Sequence, residues 1–237
     1  MKKPLLWLAM LVLVLSTFLA ACSGGEKEKT TADPKDDDKD KAAEETGPQE
    51  GGTLTYALSS EFKGLLNWNF YDADGDDDII AFFDDALIDY DENLKAQPNI
   101  ASWTTDDNKV FTFTFEKGVK WHNGEELTVN DWVFAIETIA TLGGEHQRWS
   151  NVNTIQGVKE FNEGKADKIS GLEVVDDYTL KITFDKARVN NLDNVWAYPL
   201  SRKEFEGIAP KDMAASEQVR TNPVGTGPYK VTKVIPG

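Results

Sequence analysis

The sequence predicts a mixed α/β fold in which strands and helices are interleaved within one folded segment beginning near Gly51. Three observations predict it. Apolar and polar residues alternate over Thr53 to Leu58 and again over Val110 to Phe115, the period of half-buried strands. Apolar residues recur at helical spacing after Asp78 and after Thr128. The chain has seven Trp and twelve Phe and no long internal repeat, which supplies one substantial core or two small ones.

Ahead of that segment, Lys2 and Lys3 precede an apolar run from Leu5 to Leu15 that continues to Leu19-Ala20-Ala21-Cys22. A charged start, an apolar middle and small residues at the end form a secretory signal, here residues 1 to 21. An uncleaved membrane helix is the alternative, because Pro4 to Ala21 comes close to the roughly 20 apolar residues that span a bilayer. The small residues and the charged tail that follows favour cleavage. The Leu19 to Cys22 stretch resembles the bacterial lipobox, which implies that Cys22 carries lipid and becomes the mature N-terminus. Cys22 is the only cysteine, so no disulfide forms within the chain.

Residues 22 to 50 hold almost no large apolar side chain and include Asp36-Asp37-Asp38. Such a segment buries too little surface to offset its ordering entropy and reads as a disordered tether. A solvated charged helix from Asp36 to Glu45 would serve the same spacing role. The formal net charge is −16, and no Lys/Arg cluster stands out, which excludes nucleic acid and anionic headgroups as partners.

The first strand is expected at Thr53 to Leu58, after Gly51-Gly52. A helix is expected from Asp78 to Tyr90, with Asp77 or Asp78 as N-cap and Ile79, Phe83, Leu87 and Tyr90 facing the core. Phe111, Phe113 and Phe115 share one face of the next strand. Thr128 and Asp131 form a capping box that opens a helix burying Trp132, Val133, Ile136 and Ile139 or Ala140. Ile155, Val158 and Phe161 mark a short helix closed near Gly164. Leu172 to Val175 and Thr179 to Phe184 form a hairpin joined at Asp176-Asp177. Val195 to Gly237 is irregular, broken by five prolines, with a final strand from Tyr229 to Ile235.

Catalytic and metal chemistry are poorly represented. Asp72, Asp74 and Asp76 have the start of a calcium-loop spacing, but Asp77 and Phe83 stand where that loop needs Gly and Glu. His122 and His146 are the only histidines, and neither lies at ligand spacing from another His or a Cys. No G-x-S-x-G marks a serine hydrolase. Gly225-Thr226-Gly227-Pro228 lacks the third Gly of a dinucleotide loop and the spacing of a P-loop, and it reads as a tight turn. No enzyme, metal or cofactor is therefore expected. The tryptophans favour a binding cleft. Trp132 belongs to a helix's apolar face, whereas Trp68 and Trp149 sit in irregular, polar surroundings and are the cleft candidates.

Several stretches together resemble the extracellular solute-binding proteins of peptide import systems, the oligopeptide- and dipeptide-binding family. They are Pro98 to Trp103, Phe111 to Phe115, Gly118-Val119-Lys120-Trp121-His122-Asn123-Gly124, Leu127 to Asp131, Leu172 to Leu180, Pro199-Leu200-Ser201 and Gly225-Thr226-Gly227-Pro228-Tyr229. The resemblance covers Gly51 to Gly237. It implies a type II periplasmic-binding-protein-like lobe, with 51 to 71 and 195 to 237 in the first-lobe domain, 72 to 194 as a small inserted α+β domain, and the second lobe missing. It also implies a peptide ligand, held in part by the backbone of Leu58, Ser59, Ser60 and Glu61, and delivery to a membrane permease served by a separate ATPase. Lipid on Cys22 would keep the protein at the outer face of the cytoplasmic membrane. The alternatives are another solute, such as an oligosaccharide or a nickel chelate, or a surface lipoprotein without a transport role.

Overall fold

The computed structural model describes residues 51 to 235, so the signal segment, Cys22 and the charged tether lie outside the described residues. Helix α1 spans Asp74–Phe83. It begins earlier than periodicity predicts, with Ala73 rather than Asp77 or Asp78 at the N-cap. Three acidic residues of the first turn, Asp74, Asp76 and Asp77, favour that start through the helix dipole. Asp76 is fully buried, and its carboxylate accepts the backbone N–H groups of Lys63, Gly64 and Leu65 at 2.9 to 3.1 Å. The acidic spacing that begins like a calcium loop therefore folds as a helix start clamped to a preceding turn.

The helix also ends early, because Asp84 turns extended and is buried. Leu87 then fills the core from extended chain rather than from a helix, bonded through its N–H to the Ala197 carbonyl at 2.9 Å. Tyr90, expected in the core, is exposed on a strand. A period of three to four residues is also met by chance in short strands, and here it carries past the true helix end.

Strands β1 (Ile88–Tyr90) and β2 (Ala96–Pro98) make a two-stranded antiparallel ribbon. The main sheet contains β3 (Ala101–Thr104), β4 (Val110–Phe115), β5 (Leu172–Asp176) and β6 (Thr179–Thr183) in the order β3-β4-β6-β5, antiparallel throughout. The predicted β5–β6 hairpin is present, and its turn is fixed by the Tyr178 N–H donating to the Asp176 carboxylate at 2.8 Å.

Strand β4 alternates as expected, with Phe111, Phe113 and Phe115 buried and Thr114 exposed. This face meets helix α2 (Val129–Leu142), whose start is the predicted capping box of Thr128 and Asp131. Trp132 sits edge-on to Phe113 with ring centres 4.8 Å apart, and its indole donates to the Trp196 carbonyl at 2.7 Å. Ile136, Ile139 and Ala140 continue the buried stripe, while Val133 is only partly buried. Ala135 on another face packs with Phe70, Leu200, Phe205, Met213 and Val219. One helix thus serves two apolar clusters.

Short helices complete the chain: α3 (Trp149–Val152), α4 (Val158–Asn162), α5 (Asn191–Asn194), α6 (Pro210–Met213) and α7 (Glu217–Arg220). Two expected strands are absent. Thr53 to Leu58 and Tyr229 to Ile235 are irregular, with no strand paired to either among the described residues. Alternation fixes which way side chains would face, but a strand exists only where its backbone groups meet a neighbour's.

Candidate functional site

The Gly225-Thr226-Gly227 turn docks onto the end of α1. The Gly227 N–H donates to the Phe83 carbonyl at 2.9 Å, and the Thr226 N–H and hydroxyl donate to the Asp84 carboxylate at 3.2 and 3.4 Å. A side chain at position 225 would bring its Cβ to 2.1 Å from the Phe83 carbonyl oxygen, so only glycine allows this approach. His122 holds the turn from the other side. Its Nδ1 accepts the Gly225 N–H at 3.2 Å, which leaves Nε2 to donate to the Gly227 carbonyl at 2.8 Å. The His122 backbone N–H adds a bond to the Gly225 carbonyl at 2.9 Å. Two of the family-like blocks, Gly118 to Gly124 and Gly225 to Tyr229, therefore meet each other as scaffold.

This clamp orients the face of α1 that borders an open cleft of about 410 Å³, lined by Tyr56, Trp68, Asp77, Asp78, Ala81 and Phe82. Tyr56 and Tyr229 each meet Phe82 edge-on, with ring centres at 5.3 and 5.9 Å. Trp68 stacks on Tyr198 at 4.6 Å, meets Tyr71 edge-on at 5.4 Å and donates its indole N–H to the Asp84 carbonyl at 3.0 Å. Burial lifts the Tyr198 phenol to about 12. Burial also raises the Asp77 carboxyl above its ordinary range, reinforced by Asp74 and Asp78 and opposed by Arg148. The cleft combines aromatic walls with carboxyl groups, which suits a ligand having both apolar and polar parts.

Of the residues singled out in the sequence, Trp68 lines this cleft. Trp149 opens α3 and packs against the main core, and it is not among the lining residues. Leu58 and Ser60 are half-buried, and Ser59 and Glu61 are exposed. This segment crosses the first turn of α1 at Gly75, where an added Cβ would lie 2.4 Å from the Glu61 carbonyl oxygen. The Leu58 to Glu61 backbone makes no backbone hydrogen bond among the described residues, and the buried Ser60 hydroxyl has no partner there. Tyr56, Asp77, Asp78 and Phe82 were not identified from the sequence. Phe82 lies outside the expected core stripe of its helix, which is the one signal that could have marked it.

Among the described residues there is no group of side chains able to hold a metal ion, and no helix is long and apolar enough to cross a membrane. The mixed α/β architecture and this cleft define a lobe of the type II periplasmic-binding-protein kind. Lactococcal OppA, solved with an endogenous peptide in the closed conformation, superposes with a TM-score of 0.67 at 26% identity, over 76% of this chain and 35% of that one. The chain belongs to the bacterial extracellular solute-binding proteins, family 5, whose model matches residues 95–237. It is 32% identical to the oligopeptide-binding protein OppA of Lactococcus lactis subsp. cremoris over 55% of this chain and 23% of that protein. It is 29% identical to the oligopeptide-binding protein AppA of Bacillus subtilis over 97% of this chain and 38% of that protein. The chain thus spans well under half the length of these relatives.

Proposed function

We propose that the chain is part of a lipid-anchored solute-binding protein that captures oligopeptides and passes them to the permease of an ABC importer. The observation that carries the reading is the aromatic cleft of Tyr56, Trp68 and Phe82 beside an unpaired backbone segment, Leu58 to Glu61. Free main-chain groups hold an extended peptide without regard to its side chains, and the aromatic walls accept apolar side chains of many shapes. Relatives named for oligopeptide binding support the same ligand class. Segments 51 to 71 and 195 to 237 act as the first-lobe domain, with 72 to 194 as the inserted domain. Lipid on Cys22 raises the local concentration of binder near the permease.

Calorimetry of the full chain with a mixed peptide library tests the ligand. Weak heats that saturate at millimolar peptide, and that Trp68→Ala abolishes, are the expected result. No heat for the full chain, where AppA binds the same library, would overturn the reading. Metabolic labelling with an alkyne fatty acid tests the anchor: label on the wild type and none on Cys22→Ser is expected, and equal labelling of both would refute the assignment.

A further inference from the structure

Arg148 is held in an unusual way. Its guanidinium lies 4.4 Å from the ring centre of Tyr71 and 4.3 Å from that of Trp196, so both faces of the cation are covered by aromatic rings. One Nη donates to the Tyr71 carbonyl at 3.4 Å, while Nε is buried without a hydrogen-bond partner. Among the described residues no carboxylate comes within ion-pair distance of it, whereas Arg188 has a two-point pair with Asp185 and Arg220 caps the Ala214, Lys63 and Gly64 carbonyls. The rings that hold it are themselves fixed. Trp196 donates its indole N–H to the buried Asn69 side chain at 3.0 Å, and Tyr71 packs on Trp68, which lines the cleft.

A half-buried cation gains little from ring faces compared with what it loses in hydration, unless an anion completes its shell. Its planar fork presents parallel N–H donors matched to a carboxylate. We propose that Arg148 is a specificity-determining residue that takes a carboxylate of the bound peptide, its C-terminus or an acidic side chain, at the Tyr71 end of the cleft. This rests on the peptide reading above. Asp77, the acid nearest in effect, does not cancel the charge, because burial and its acidic neighbours work against its ionisation.

The sequence has four arginines, Arg148, Arg188, Arg202 and Arg220, so arginine-labelled full chain gives a readable set of Nε–H resonances by NMR. Three probes are titrated: N-acetyl-tetra-alanine, its C-terminal amide, and N-acetyl-tetra-alanine amide with one Ala replaced by Glu. Arg148→Lys, which keeps the charge and the stem, assigns the resonance. The expected result is a saturable shift of the Arg148 signal with either carboxylate-bearing probe. Affinity should be at least tenfold weaker for the plain amide, and in Arg148→Lys acid and amide should bind alike. Equal binding of all three probes by the wild type, followed through Trp68 fluorescence, would overturn the role of Arg148 and leave the peptide reading intact. No binding of any probe would overturn both.

Discussion

Asp84 is buried at the point where α1 ends and the Gly-Thr-Gly turn docks, and desolvation pushes its carboxyl well above the ordinary range despite the donors from Thr226. Ionisation therefore costs more in the folded than in the unfolded chain. Its contribution to stability is complete below the unfolded value near pH 4 and is lost as pH rises through the higher folded value. Asp84→Asn keeps an acceptor for Thr226 without the charge. We expect it to gain about 1 to 2 kcal/mol in urea unfolding at pH 7 and to show no gain near pH 4. His146 has the opposite sign: burial, then the nearby Arg148, lowers its pKa. It stabilises the fold above about pH 6.5 and loses that contribution as pH falls through its lower folded value. Thermal melting temperature should thus drop from pH 7 to pH 5, and His146→Gln should flatten the drop. At Gly225 the constraint is steric, since an added Cβ meets the Phe83 carbonyl at 2.1 Å. Gly225→Ala should cost about 2 to 4 kcal/mol, and a cost near zero would mean the turn can retreat from the helix.

Among the elements, α2 shows how local chemistry is tied to packing. Asp131 closes the capping box by accepting the Thr128 N–H at 3.0 Å, and its other oxygen accepts the Arg202 N–H at 3.0 Å. Asp131→Ala leaves both donors without their acceptor and should cost about 2 to 3 kcal/mol by urea unfolding, more than the roughly 1 kcal/mol of a cap alone. A cost of only 1 kcal/mol would show the Arg202 contact to be replaceable by water. This helix start was legible because Thr128 and Asp131 are three residues apart. The Arg202 contact was not, because its partners are 71 residues apart in sequence. The same contrast explains α1. Its apolar period runs on to Tyr90, but its real limits are set by Asp76 gripping the Lys63 to Leu65 turn and by Asp84 gripping Thr226.

Over the whole chain, the residues that look most like the family are mostly scaffold: Trp121 and Leu127 are buried, and His122 bridges to Gly225 and Gly227. His122→Ala should speed hydrogen exchange at the Gly225 amide by tenfold or more while the amides of β4 keep their protection. Unchanged exchange at Gly225 would mean the turn holds itself. The sequence by itself determined the mixed α/β class, the β4 strand, the α2 cap, the β5–β6 hairpin and the family, because each rests on short-range periodicity or on contiguous motifs. Only the tertiary structure decided where α1 stops, that Thr53 to Leu58 and Tyr229 to Ile235 form no strands, and that Tyr56, Trp68 and Phe82 share a cleft near Arg148. Those features depend on backbone partners and ring contacts between distant parts of the chain, and no local pattern encodes which distant groups will meet.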